Sequence, residues 1–226
     1  MQIILDHLSS ILIAGIMILG LQVTQFRSQH SDIEQVASHS VKAKTLVFGE
    51  WVERDILDLG ANFGTNVYRF EEPVVDADSN TTEWTFYSDG PNEDGDLVRL
   101  VKRYRLVPTN TAAFRDTTFQ LYRLDRDERE IAYNPDGSLG ASSSWESSGQ
   151  SISTLSFFRI DLIDRFGVTP RDEDGDLDYY KTDYVRVRFG VVPEYVLRPD
   201  NYIRELYWSK TLKIRPYWVP PPSFDS

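Results

Sequence analysis

The chain has 226 residues, a formal net charge of -11 and no cysteine. That length suits one well-cored domain with an extension, and 41% hydrophobic with 13% aromatic residues argues for a folded, strand-rich chain rather than disorder. The acidic balance disfavours nucleic-acid partners, and the missing thiols exclude a cysteine nucleophile, a cysteine-ligated zinc and an iron–sulfur cluster.

The first element is apolar. Leu8 to Val23 reads LSSILIAGIMILGLQV, with Asp6 before it and Arg27 after it. Extended by Ile3, Ile4 and Leu5 it reaches the roughly 20 residues that cross a bilayer. No Lys or Arg stands ahead of the run and no small-residue cleavage site follows it, so it reads as an anchor or core helix rather than a cleaved signal. Beyond it, Phe26, Ile33, Val36, Ala37, Val41, Val47, Phe48, Trp51 and Val52 recur at helical spacing. This continuation is expected to lay one apolar face on a sheet and to end at Gly60 or Gly64. The first part, apolar nearly all round, needs lipid or other helices. Leu12, Ile13, Ile16, Leu19 and Leu21 are its candidate contact residues.

After Gly64 the period falls to two. Trp84–Tyr87, Val98–Val107, Phe119–Leu124, Phe157–Ile163, Val185–Val191 and Leu206–Ile214 read as strands of an antiparallel sheet. The predicted fold class is α+β, a long N-terminal helix packed on an antiparallel β-sheet domain. The expected organisation is residues 1–25 as apolar helix, 26–60 as its amphipathic continuation, 61–215 as the β-rich domain and 216–226 as a proline-rich tail. Residues 137–151, GSLGASSSWESSGQS, read as an exposed flexible loop in which Trp145 either folds onto its own domain or touches a neighbouring subunit. The tail is expected to run extended, because proline donates nothing to a ladder.

Acidic residues cluster at Arg171-Asp-Glu-Asp-Gly-Asp-Leu-Asp178. Asp172, Asp174, Asp176 and Asp178 alternate around a glycine, and Asp183 falls at the twelfth position, as in a loop that wraps calcium. Leu177 stands where such loops place glycine. Asn92-Glu-Asp-Gly-Asp96 repeats the pattern, with Arg103 in the closing place. Calcium binding and a plain Asp-Gly turn are both open for these segments; no other cofactor is indicated. Catalytic candidates are poor. His7, His30 and His39 all precede the β-rich part, no phosphate-cradling glycine loop occurs, and no carboxylate pair stands out. No catalytic activity is expected. Asn80-Thr-Thr82 matches a glycosylation sequon.

Three features together resemble the type IV filament superfamily, in particular its larger minor pilins and pseudopilins. They are the apolar N-terminal helix with Asp6 near its start, the stretch Phe48-Gly-Glu-Trp-Val-Glu-Arg-Asp-Ile-Leu57, similar to a Leu-x-x-Leu-Glu-Arg-Asp-Leu segment of that family, and the late pair Tyr184–Phe189 and Leu212–Arg215. The Gly-Phe-x-x-x-Glu processing motif is not present, and Asp6 stands where glutamate is usual. The resemblance implies a pilus or pseudopilus subunit. Such a subunit is inserted in the inner membrane before assembly, then packed with copies of itself or other pilins in a helical filament at the cell surface. It also implies that the acidic residue pairs with a neighbour's N-terminal amine. Physically, a carboxylate in lipid or a dry helix core costs several kcal/mol unless paired. Asp6 is further expected in the first helical turn, where the helix dipole favours it. Placement at the membrane–water boundary is the alternative. A membrane-anchored surface binding module is the rival to the filament reading as a whole.

Overall fold

The computed structural model describes residues 2–60, 69–92, 94–114, 117–152, 154–192 and 205–214. It has the expected α+β architecture. One helix, α1 (Gln2–Leu57), is followed by β1 (Val74–Val75), β2 (Thr81–Pro91), β3 (Leu97–Phe114), β4 (Thr117–Tyr133), β5 (Leu139–Ser142), β6 (Glu146–Gln150), β7 (Leu155–Ile163), β8 (Tyr184–Val191) and β9 (Leu206–Lys213). The chain divides into two units, Met1–Lys42 and Ala43–Ser226. The first is helix throughout its described residues.

In the second unit the strands form one antiparallel sheet in the order β1-β2-β3-β4-β7-β8-β9, with β5 and β6 both paired to β4. The sheet is built on the β3–β4 hairpin, in register from Val98↔Ala132 to Phe114↔Thr117 apart from a shift between Pro108 and Thr111. The sheet curls, and the Ile160 amide of β7 donates to Thr81 Oγ1 at the start of β2 (2.9 Å). All six strands expected from alternation are present.

The last turns of α1 lie on this sheet. Phe48, Val52 and Ile56 recur every four residues and are buried, as is Leu59 just beyond. They join Trp84, Phe86, Tyr104, Phe158, Val187 and Phe189 in the core. The Phe48 ring meets Phe189 edge-on at 4.7 Å, and Tyr104 meets Phe158 edge-on at 6.2 Å. Gly49 faces the Trp208 indole of β9, which stacks on Phe189. A Cβ at Gly49 would sit 2.7 Å from that ring, so only glycine admits this close approach. The helix stops at Gly60, whose positive φ (67°) turns the chain and whose amide donates to the Tyr87 carbonyl of β2 (2.8 Å).

Three expectations need correction. Residues 137–151 are not a free loop. They contain β5 and β6, which satisfy their backbone on β4 despite lacking hydrophobic alternation. Second, the apolar residues of the helix continuation do not share one buried face. Phe48 and Val52 are buried, but Phe26, Ile33, Val36 and Val47 are exposed. Third, the first turn of α1 holds no acidic residue; the helix begins at Gln2, so Asp6 lies one step beyond it. The outward face of β3 and β4 is also ordered, as a lattice of Arg and Asp. Asp89 meets Arg99 (3.2 Å), Asp127 meets Arg103 (3.0 Å) and Arg105 (2.7 Å), and Asp125 meets Arg123 (2.6 Å). Burial pushes the Asp127 carboxyl up, but its bonds to Arg105 and Arg103 outweigh that and hold it below the usual carboxylate range.

Candidate functional site: the apolar helix and the Asp55 cluster

Within the first unit, Leu12, Ile13, Ile16, Leu19 and Leu21 are all exposed, as are Ile11, Met17, Ile18 and Val23. Leu12 is 66% and Ile16 62% accessible, values that leave them without cover from this chain. Covering large apolar side chains is worth about 1.5–3 kcal/mol each, so the nine together represent on the order of 14–27 kcal/mol. That matches or exceeds the 5–15 kcal/mol by which a typical domain is stable. Leaving a surface of this kind in water is unfavourable. By length and composition the helix is apolar enough to cross a membrane. The Asp6 side chain lies outside the described residues, and so does the 216–226 tail.

In the second unit the same helix carries a buried carboxylate. Asp55 shares the face of Phe48, Val52 and Ile56 and is 4% exposed at its side chain. It accepts hydrogen bonds from Lys102 Nζ (2.9 Å), Tyr104 Oη (2.7 Å), Arg126 Nε (2.6 Å) and Arg126 Nη2 (2.9 Å). Lys102 and Tyr104 come from β3 and Arg126 from β4. Tyr104 and Arg126 are directly opposite in register, so both aim at one point over the sheet. Burial, with the Asp55 carboxylate beside it, pushes the Tyr104 phenol well above its ordinary value.

Two cations around one carboxylate would leave the cluster positive. Glu128, ion-paired with Arg126, restores the balance. The serine-rich segment closes over it. Ser148 Oγ accepts from Arg126 Nη1 (2.8 Å), and Gly149 lies against Trp51, where a Cβ would approach the indole to 3.1 Å. Small residues in β6 are thus a packing requirement of the cluster's roof. Asp55 belongs to the Phe48–Leu57 stretch, but its role was not read from the sequence. The signal was a lone acid at the apolar-face spacing of 48, 52, 55, 56 and 59.

The acidic segments turn out to share one backbone device. Asp172 Oδ1 accepts from the amides of Asp174 (3.0 Å) and Asp176 (2.9 Å), the Asp172 amide donates to the Asp176 carbonyl, and Gly175 takes a positive φ (90°). Asn92 does the same with the amides of Asp94 and Asp96, around Gly95. Asp164 with Gly167 and Asp76 with Ser79 repeat it, and Asn134 with Gly137 keeps its backbone part. These are tight turns in which the glycine supplies the left-handed residue.

The carboxylates expected to hold calcium are therefore partly spent. Asp172 caps its own turn. Asp178 accepts from the Tyr180 and Lys181 amides and pairs with Lys181 Nζ (2.7 Å), which holds its carboxyl below the usual range. Among the described residues, no three His, Cys, Asp or Glu side chains converge on one point. Within the set Asp172, Asp174, Asp176, Asp178 and Asp183, it is Asp172 and Asp178 that bond within the turn and the loop after it. At the sequon, Asn80 is buried and its amide nitrogen donates to Asp76 Oδ2 (3.2 Å), so that side chain serves the turn.

No family model matches the chain, and neither does any curated protein or solved structure.

Proposed function

We propose that the chain is a structural, non-catalytic subunit of an extracellular type IV pilus-like filament. Its N-terminal helix is inserted in the membrane before assembly and packed among the helices of other subunits afterwards. The observation that supports this reading most is the bare apolar surface of residues 11–23, lying in the same helix whose other end is buried in a β domain. A helix apolar on every side has no use for a single sheet face; it suits an environment that covers it all round. The partners are copies of this chain or related pilins, and hydrophobic burial at roughly 25 cal/mol per Å² drives the packing.

The test is replacement of Ile13 or Ile16 by Asp. Each variant is expected to lose filament assembly, read by electron microscopy of the sheared surface fraction, while the β domain keeps its circular dichroism and unfolding midpoint. Normal filaments from either variant would overturn the proposal. A chain that remains in the membrane fraction of wild-type cells, with no filament containing it, would favour a membrane-anchored binding module instead.

A further inference from the structure

The segment between β5 and β6 places Trp145 over the outward face of β3 and β4. The Arg103 guanidinium lies 4.0 Å from its ring centre and that of Arg129 lies 4.5 Å from it. The two arginines are treated differently by the fold. Arg103 pairs with Asp127, which also serves Arg105. Arg129 stands opposite Val101, and among the described residues it has neither an ion pair nor a side-chain hydrogen bond. The Nε atoms of both arginines are buried and lack an acceptor there.

A guanidinium cannot shed its proton, so a half-buried one must find acceptors or bear an uncompensated desolvation cost. Stacking on indole offsets part of that cost but supplies no acceptor for the N–H groups. Those groups lie in the guanidinium plane, where a two-oxygen anion meets them in a fork. The other arginines of this face, Arg99, Arg105 and Arg123, pair with carboxylates of the chain, which is the chemistry that suits Arg129.

We propose that Arg129, with Arg103 and Trp145, forms a binding site for an oxyanion, a carboxylate or phosphate group of a ligand. Trp145 holds both guanidiniums in place, and Arg129 supplies the free fork. The site does not depend on how the N-terminal helix is used. It would give the outer face of the sheet a recognition function in a chain that is otherwise strongly acidic.

The test uses the full chain in detergent, titrated separately with inorganic phosphate and glucuronate, with chloride at matched ionic strength as reference. The readout is the Nε–Hε NMR signals of arginine, assigned to Arg129 by Arg129→Lys, together with the indole signal lost in Trp145→Phe. A saturable shift of the Arg129 and Trp145 signals with phosphate or glucuronate, and not with chloride, is expected. Arg129→Gln is expected to weaken it about 10- to 100-fold, the value of a charge-assisted hydrogen bond or two. Arg129→Lys, which keeps the charge but loses the fork, should also weaken it, and guards against misfolding of the Gln variant. Response to phosphate alone would assign the site to phosphate groups, and response to glucuronate alone to carboxylates. A shift that follows ionic strength, or one unchanged by both substitutions, would overturn the proposal.

Discussion

Asp55 shows how one side chain sets the seat of a helix on a sheet. A rotation of α1 by a single residue would swing this carboxylate by about 100° and strand Lys102, Tyr104 and Arg126 without their acceptor. The cluster stabilises little relative to an apolar replacement of equal volume, because burying charges costs nearly what their pairing returns. Removing one member is another matter. Asp55→Ala leaves a lysine and an arginine facing each other with no anion between them except Glu128, and is expected to cost about 3–5 kcal/mol in urea unfolding. Asp55→Asn keeps the shape and one acceptor oxygen and should fall between that variant and the wild type. An Asp55→Ala midpoint equal to that of the wild type would mean that water enters and solvates the cluster.

At the scale of elements, the turns are the most regular feature and the most informative. Four of the five end on glycine with φ between 80° and 90°, whereas Ser79 adopts φ 65° with a side chain attached. A left-handed non-glycine residue carries roughly 1–2 kcal/mol of steric strain, offset in part by the chain entropy that glycine costs. Ser79→Gly is therefore expected to raise stability by about 0.5–1 kcal/mol, measured as a shift in thermal midpoint with the β1–β2 contacts intact. An unchanged or lower midpoint would show that Ser79 is relaxed in its turn. The strands around these turns were legible because their apolar residues alternate. The short strands β5 and β6 were not, since a ladder of Ser and Gly is held by backbone pairing and leaves no hydrophobic period. The acidic repeat was legible as a pattern but ambiguous in purpose. Alternating carboxylates around Asp-Gly serve a cation or cap a turn, and in this structure Asp172 Oδ1 caps the turn through the Asp174 and Asp176 amides. Asp55 was hidden for the opposite reason: buried pairing depends on Lys102, Tyr104 and Arg126, which are 47 to 71 residues away in sequence.

At the scale of the whole molecule, one helix serves two environments, and the boundary between them can be read from burial. The buried core begins at Thr45 and Phe48; no large apolar side chain described between Ile11 and Val36 is buried. The described side chains of residues 10–25 are exposed and add nothing to the buried core. Deleting residues 1–25 should convert a detergent-dependent chain into a soluble monomer by sedimentation. Its unfolding free energy should stay within about 0.5 kcal/mol of that of the wild-type domain, the range expected of changes remote from a core. If the proposed filament role holds, the same deletion should abolish incorporation into filaments, because the apolar surface proposed to drive assembly is gone. A truncated chain that melted several degrees lower would mean that the front of the helix folds with the domain after all. One that still polymerised would place the assembly surface on the β domain rather than on the helix.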